Sequence, residues 1–335
     1  MLGFTIAAPT IGVLSGGSSV RVRAVVAAVA VMTCLHVAMY VLNDLVDLDI
    51  DRTQPRRAVS PLVRGALTRR GAAVIVMTSI AASFLLDFIV LGRGLGREVA
   101  LFGAFLMLTI YDFFGKKSPW PPLTDFVQGA GCGLAVIYGG LANHSLTALS
   151  WYEAAYLMVY FAMINGIHGS LRDLENDAAH QVRSTALMLG AGAHGGSARL
   201  PGRLRAYGLA LQSALGVLGA LSLAEAARSA RPDSVGIALG GLAILLGFAL
   251  CLWAYRYQIA SPSLLLAGAA QLIVAIFPAL AAAGSEHGAA VELALTAGTV
   301  GPMFTNAWYR RSFAWLAGIK PAFSDTRGPR TGRLQ

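Results

Sequence analysis

The sequence predicts an all-α integral membrane protein, a bundle of nine or ten transmembrane helices around a central cavity. Three observations carry that reading. Hydrophobic residues make up 56% of the 335-residue chain and charged residues only 13%, about half the charged share of an ordinary soluble protein. The apolar residues fall in runs close to the ~20 residues that a bilayer span requires. Those runs are uninterrupted rather than alternating, which excludes the β-barrel, the other structure that satisfies its whole backbone inside lipid.

The runs follow in order. Residues 1–17 lack a basic leader and a cleavage site and read as a short first span rather than a removable signal. Further spans are expected at 24–43, 72–91, 98–112, 123–142, 151–169, 206–226, 234–255, 262–283 and 289–307. Whether both terminal runs count decides between nine and ten. Glycines spaced four apart in 129–140 and 236–247 allow close helix contact. Residues 1–309 are expected to form one transmembrane domain, and 310–335 a polar, basic, loosely ordered tail.

Charge sets the orientation. If the spans alternate, the loops 44–71, 113–122 and 170–205 share one face and hold six, two and five basic residues, 13 in all. The intervening loops 92–97, 143–150 and 227–233 hold four: Arg93, Arg97, Arg228 and Arg231. The excess places the first face in the cytoplasm, at the cell membrane in a bacterium. Arg21 and Arg23 run against this rule. The net charge of +9 is thereby absorbed by an anionic leaflet. No basic run interleaved with aromatic residues suggests nucleic-acid binding. Cys34, Cys132 and Cys251 lie in apolar stretches without CxxC spacing, so no disulfide framework is expected.

Acids concentrate on the same basic face. Eight of the 17 Asp and Glu residues lie there: Asp44, Asp47, Asp49, Asp51, Asp112, Asp173, Glu175 and Asp177. Orientation alone does not select for that. In NDLVDLDID, Asn43, Asp47 and Asp51 are spaced i, i+4, i+8, and Asp44, Asp47 and Asp51 i, i+3, i+7, so each set falls on one helical face. In RDLEND, Asp173 and Asp177 repeat the i, i+4 spacing. Two like charges about 4 Å apart repel by roughly 4 kcal/mol at an effective dielectric of 20. A single acidic run at a helix end is usually a solvated face. Two runs with matching spacing on one side of a membrane point instead to hard divalent cations, Mg²⁺ above all, bridging a diphosphate. Asp49 and Glu175 fall off the shared faces and read as solvated loop residues.

Between the clusters stands YDFFGKK. Lys117 reads as an orientation charge, whereas Lys116 is a candidate to neutralise a phosphate and Tyr111 to place a hydroxyl at the cavity rim. Arg57 and Arg64 follow the first cluster and Arg172 opens the second; Arg57 and Arg172 join the diphosphate-binding set with Asn43. Phe113, Phe114, Tyr138, Tyr160 and Phe161 are candidates to face a developing cation, although aromatic residues in spans are more often packing. His36, His144 and His168 read as core or loop histidines, with His168 one turn before the second cluster.

These residues resemble a known family, the UbiA superfamily of intramembrane prenyltransferases. Asn43, Asp44, Asp47 and Asp51 match its NDxxDxxxD motif, the stretch DRTQPRRAVSPLVRG its Arg- and Pro-rich continuation ending in Gly65, Tyr111 and Lys116 its Tyr-x4-Lys element, and Asp173 and Asp177 its DxxxD motif, trailed by Arg183 and Thr185. Departures are extra residues after Asp51, which blur the equivalents of Arg57 and Arg64, His180 where glycine is frequent, and a first span without the leading Arg-Pro. The resemblance implies a helical bundle with a cytosolic cap. It implies a polyprenyl diphosphate held through Mg²⁺ by Asp44, Asp47 and Asp51 on one side and Asp173 and Asp177 on the other, with a prenyl tunnel open to the bilayer. It further implies ionisation to an allylic carbocation, attack by a small aromatic acceptor, and release of diphosphate.

Two alternatives stand beside it. A terpene cyclase on the same scaffold uses the same ionisation and captures the cation with its own double bond. A cation-coupled transporter predicts acids near mid-span and paired repeats, whereas these acids sit at helix ends. The DGxxAR…GxxxDxxxD pattern of a CDP-alcohol phosphotransferase is absent.

Overall fold

A computed structural model describes residues 2–17, 19–54, 57–194, 197–229, 232–255 and 262–301. The tail 310–335, the end of the last expected span, Arg56 and Arg231 lie outside them. The expected spans appear as α1 (Leu2–Leu14), α2 (Val22–Val46), α4 (Arg69–Leu91), α5 (Leu95–Phe114), α6 (Pro121–Ala142), α7 (Ala148–Met163), α11 (Gly202–Ala226), α12 (Ser234–Ala254) and α13 (Pro262–Gly284), with α14 (Ala289–Gly301) last. Short helices α3 (Leu48–Asp51), α8 (Ser170–Arg172), α9 (Leu174–Ala179) and α10 (Thr185–Met188) lie at one end, where a two-stranded antiparallel hairpin, β1 (Gly192–His194) and β2 (Ser197–Arg199), packs on α9. Cys34, Cys132 and Cys251 are free.

The chain is an integral membrane protein. Helices over Val22–Val46, Arg69–Leu91, Ala148–Arg172, Gly202–Ala226 and Ser234–Ala254 are long and apolar enough to cross a bilayer. α4 and α12 turn large side chains outward, among them Val74, Met77, Ile89, Leu242 and Leu245, which suits lipid rather than water. Around the bundle α4 packs on α2, α5 on α6, α6 on α7, α7 on α11, and α11 on α12 and α13. Local chemistry starts several helices: Thr68 accepts from the Gly71 N–H, Thr147 and Ser150 form a reciprocal capping box, and Asp233 accepts from the Val235 and Gly236 N–H groups.

α1 closes the bundle by lying on α6 at backbone distance. A Cβ added to Gly139 would stand 1.9 Å from the Pro9 carbonyl oxygen, and one on Gly12 1.9 Å from that of Val136. The neighbour in each case is backbone, so relief requires the helices to part. Gly139→Val is expected to lower stability by about 1–3 kcal/mol or more, the usual cost of overpacking. The check is the thermal midpoint of detergent-purified protein. An unchanged midpoint would mean that α1 does not seat on α6 as described.

Two features depart from simple helix reading. α7 widens into a π-helical turn, Ile164–Gly169, before α8, which shifts the phase of everything after it. And Arg97, counted above as a loop charge, lies inside α5 and is buried. Its Nε and one terminal nitrogen grip Asp87 of α4 at 2.9 and 3.1 Å, and that same nitrogen donates to the Gly92 carbonyl at 2.6 Å. The Tyr138 hydroxyl donates to Asp87 at 2.9 Å. This ion pair sits at the end of the bundle opposite the aspartate clusters, so Tyr138 serves Asp87 there and does not line a cavity beside the aspartates.

Candidate active site

The two expected acid ladders do not lie on continuous helices. α2 stops at Val46, and Asp47 takes φ −89°, ψ 4° before α3 begins at Leu48. α8 stops at Arg172, and Asp173 takes φ −101°, ψ 1° before α9 begins. Each motif therefore carries a one-residue break at an aspartate. The break is slight: the Asp47 N–H still donates to the Asn43 carbonyl at 2.9 Å and the Asp51 N–H to the Asp47 carbonyl at 2.8 Å, so the i, i+4 spacing persists across it.

The first motif is knitted to cations. Lys116 Nζ meets Asp47 Oδ2 at 2.5 Å. Arg57 reaches Asp44 at 3.1 Å and Asp51 at 3.4 Å. The Asn43 amide donates to Asp47 at 3.4 Å and to Asp112 at 3.3 Å, and Ser60 donates to Asp44 at 3.5 Å. Asp49, by contrast, is exposed and pairs with Arg52 and Arg69 at the surface. The turn after the first motif ends at Gly65, whose φ of +76° explains the glycine.

The second motif meets the first from across the bundle end. Arg172 holds Asp173 through two parallel bonds, 3.1 and 3.0 Å. The Thr53 hydroxyl, two residues past Asp51, donates to the Asn176 side-chain oxygen at 3.4 Å. The Arg183 backbone N–H donates to the Lys116 carbonyl at 3.3 Å. Thr185 Oγ1 donates to Asp125 of α6 at 2.5 Å. The loops after both motifs and the end of α5 thus form one assembly. The positive-φ residue after α9 is Gln181, with φ 55°, and not His180. Tyr111 lies within electrostatic reach of Asp47, Asp112, Asp125 and Arg172, and Gly115 packs on its ring and carbonyl.

Among the described residues no three His, Cys, Asp or Glu side chains converge into a ready-made metal cage. The donor set suits a cation completed by other oxygens. Both Asp51 carboxylate oxygens are buried without a hydrogen bond, Oδ1 facing Arg57 at 3.4 Å, and Asp112 Oδ2 is likewise buried without one. Burial pushes the Asp51 carboxyl above its ordinary range; Arg57 and Lys116 oppose that, and Asp44 and Asp47 reinforce it. A buried carboxylate of this kind gains most from a nearby cation. Mg²⁺ keeps several waters and takes one or two carboxylates plus phosphate oxygens, so separate carboxylates fit it better than they fit a closed protein cage.

Other candidates fall elsewhere. Phe113 and Phe114 point outward and are exposed. The Tyr160 hydroxyl donates to the Leu272 carbonyl at 2.8 Å, Tyr156 donates to Ala275 of the same helix, and Phe161 sits edge-on to Tyr160. Both tyrosines brace the stretch of α13 that approaches Pro278. His168 turns its Nδ1 toward Gly268 of α13, His36 bonds Thr5, and His144 is an exposed loop residue. Asp112, Thr53 and Asn176 went unassigned in the sequence. Asp112 was already among the acids of that face, one residue from Tyr111, and that adjacency was the available signal.

The UbiA prenyltransferase family model matches residues 1–226. The chain is 27% identical over 151 residues to a 4-hydroxybenzoate octaprenyltransferase of Pseudoalteromonas atlantica, covering 45% of this chain and 50% of that one. It is 29% identical over 108 residues to a polyprenyl transferase of Arthrobotrys oligospora, covering 32% of this chain and 28% of that one. The chain thus spans about half or less of the length of these relatives. Its fold is similar to that of an apo UbiA homologue from Aeropyrum pernix, with TM-score 0.62 and 23% identity over 84% of this chain and 95% of that one. It is also similar to that of a UbiA homologue from Archaeoglobus fulgidus bound to GPP and Mg²⁺, with TM-score 0.60 and 17% identity over 88% and 95% of the two chains.

Proposed function

The chain belongs to the UbiA prenyltransferase family, and from that premise we propose that it transfers an isoprenyl group from a polyprenyl diphosphate to a small aromatic acceptor, with Mg²⁺ and release of diphosphate. The observation that carries the reading is the tie between the two acidic motifs through Thr53 and Asn176, with Lys116 and Arg57 on the carboxylates of the first and Arg172 on Asp173 of the second. The Mg²⁺–GPP complex of the Archaeoglobus fulgidus homologue supports the donor and the metal, and the name of the Pseudoalteromonas relative supports an aromatic acceptor.

Asp44, Asp47 and Asp51 on one side, and Asp173 and Asp177 on the other, would hold Mg²⁺, which supplies charge neutralisation to the departing diphosphate. The chain's own cations share that work. Lys116 and Arg57 stand beside the acids that would hold the metal, where they would face phosphate oxygens. Arg172 does the same beside Asp173. Asn43 and Tyr111 supply hydrogen bonds at the rim. The C–O bond then breaks heterolytically and both electrons leave with the diphosphate. An acceptor carbon or oxygen donates an electron pair to the allylic cation and loses a proton. The apolar bundle keeps water from the cation.

The test uses purified protein, a labelled allylic diphosphate and a panel of phenolic acids. Mg²⁺-dependent release of diphosphate with a prenylated phenol supports the proposal. A cyclised terpene formed equally well without any acceptor would reassign the enzyme as a cyclase. No diphosphate release under any condition would overturn the reading. A narrower expectation concerns Lys116. A charge-assisted hydrogen bond contributes about 1.5–3 kcal/mol, so Lys116→Met is expected to raise the KM for the diphosphate roughly tenfold to a hundredfold, read from steady-state kinetics at saturating Mg²⁺. An unchanged KM would place the lysine outside the phosphate site.

A further inference from the structure

The end of the bundle opposite the aspartates carries basic residues that the proposed chemistry does not use. Arg21 and Arg23 precede and open α2, and Arg93 sits in the turn between α4 and α5; all three are exposed. Among the described residues none of the three has an acidic partner. They are held together rather than scattered. The buried Asn143 side chain accepts from the Arg21 N–H at 3.0 Å and donates to the Ser19 carbonyl at 2.9 Å, which fixes the α1–α2 loop to the α6–α7 loop. His144 follows at φ 62°, and Arg21, Arg23 and Arg97 all lie within electrostatic reach of it.

A cavity of about 370 Å³ opens here, lined by Arg93, Gly94, Arg97, His144 and Ser145 among others. Gly94 leaves room for the Arg97 guanidinium, one nitrogen of which would lie 2.6 Å from a Cβ at that position. Asp87 neutralises Arg97 from the far side. Glu98, beside the cavity, has its carboxylate engaged by the Gly94 N–H at 3.0 Å. The net field at the opening is therefore positive. Val22, Leu95 and Trp151, near the starts of α2, α5 and α7, stand exposed, and tryptophan and apolar side chains at helix ends suit the bilayer interface.

We infer that this cavity, with Arg93 in its lining and Arg21 and Arg23 within electrostatic reach of its His144, binds the phosphate headgroup of an anionic phospholipid in the leaflet opposite the aspartate motifs. A soluble anion would be held by charge alone. A phospholipid adds acyl chains that lie along the exposed apolar starts of α2 and α5. The site explains why Arg21 and Arg23 stand on the face that the charge rule leaves poor in arginine.

The test is native mass spectrometry and thermal unfolding of the purified protein in nonionic detergent, with phosphatidylglycerol, phosphatidylcholine or inorganic phosphate added. Wild-type protein is expected to retain phosphatidylglycerol in preference to phosphatidylcholine and to unfold at a higher temperature with it. Arg21→Gln/Arg23→Gln/Arg93→Gln is expected to weaken phosphatidylglycerol retention by on the order of a hundredfold, about fivefold per basic side chain. The corresponding Arg→Lys triple variant, and Arg70→Gln/Lys117→Gln on the aspartate face, should keep it. Equal retention by the Gln triple variant, equal retention of phosphatidylcholine, or the same stabilisation by inorganic phosphate alone would overturn the site.

Discussion

Asp47→Asn is expected to reduce diphosphate release by on the order of 10²–10³-fold. Asp47 is buried, 4% exposed, and sits at the break between α2 and α3 with Lys116 and Asn43 on its carboxylate. The amide keeps the shape and the hydrogen bond from Asn43 but removes the negative charge. In the proposed reaction that charge would help hold the metal, beside Lys116 with which it pairs in the structure. A loss of several kcal/mol of charge stabilisation converts at a factor of ten per 1.36 kcal/mol. The variant should fold, because an uncharged group replaces a buried charge whose cationic partner Lys116 is still about one-third exposed and can turn to water. Assaying release at saturating Mg²⁺ and donor isolates the effect on kcat. Asp47→Asn with wild-type release would remove Asp47 from the machinery.

Asp87→Ala is expected to have the largest effect on stability, about 3–5 kcal/mol. Both members of the Asp87–Arg97 pair are almost fully buried, at 1% and 3% exposure. Removing the aspartate leaves a guanidinium inside the bundle with only the Gly92 carbonyl and strips Tyr138 of its acceptor. Breaking one side of a buried pair strands a charge, which is why truncation costs more than the pair itself contributes. A double replacement, Asp87→Leu/Arg97→Met, strands nothing except the Tyr138 hydroxyl and should recover most of the loss. The thermal midpoint and the yield of monodisperse protein report this. Equal destabilisation by the single and the double variant would show that burial of unpaired charge is not the cause.

Much of this molecule was legible in the chain itself. The positions of the helices followed from apolar run length, because each run buries or faces lipid along its whole length. Both acidic motifs stood out because acids are rare elsewhere in so apolar a sequence. What escaped was whatever depends on neighbours. The break at Asp47 carries no proline or glycine; Asp47 pairs there with Lys116, while Asp44 and Asp51 share Arg57, and none of those partners is visible from local sequence. The π-helical turn at Ile164–Gly169 is written only in its two glycines, and only Asp125 pressed against Gly166 gives one of them a reason. Arg97 was counted as a loop charge, since nothing in the local sequence reveals that Asp87, ten residues earlier, curls back to it.

The most direct test of the account is a double-mutant cycle on ligand binding. Wild-type protein, Asp47→Asn, Asp173→Asn and the double variant would be titrated with inorganic diphosphate in the presence of Mg²⁺ by calorimetry. If both motifs grip one metal-bound diphosphate, losing either should already loosen the ligand, and the double variant should bind little worse than the weaker single. That non-additivity is the signature of groups sharing a partner. Strictly additive losses, or full affinity in either single variant, would show that the two rows of carboxylates act apart and would contradict the central claim.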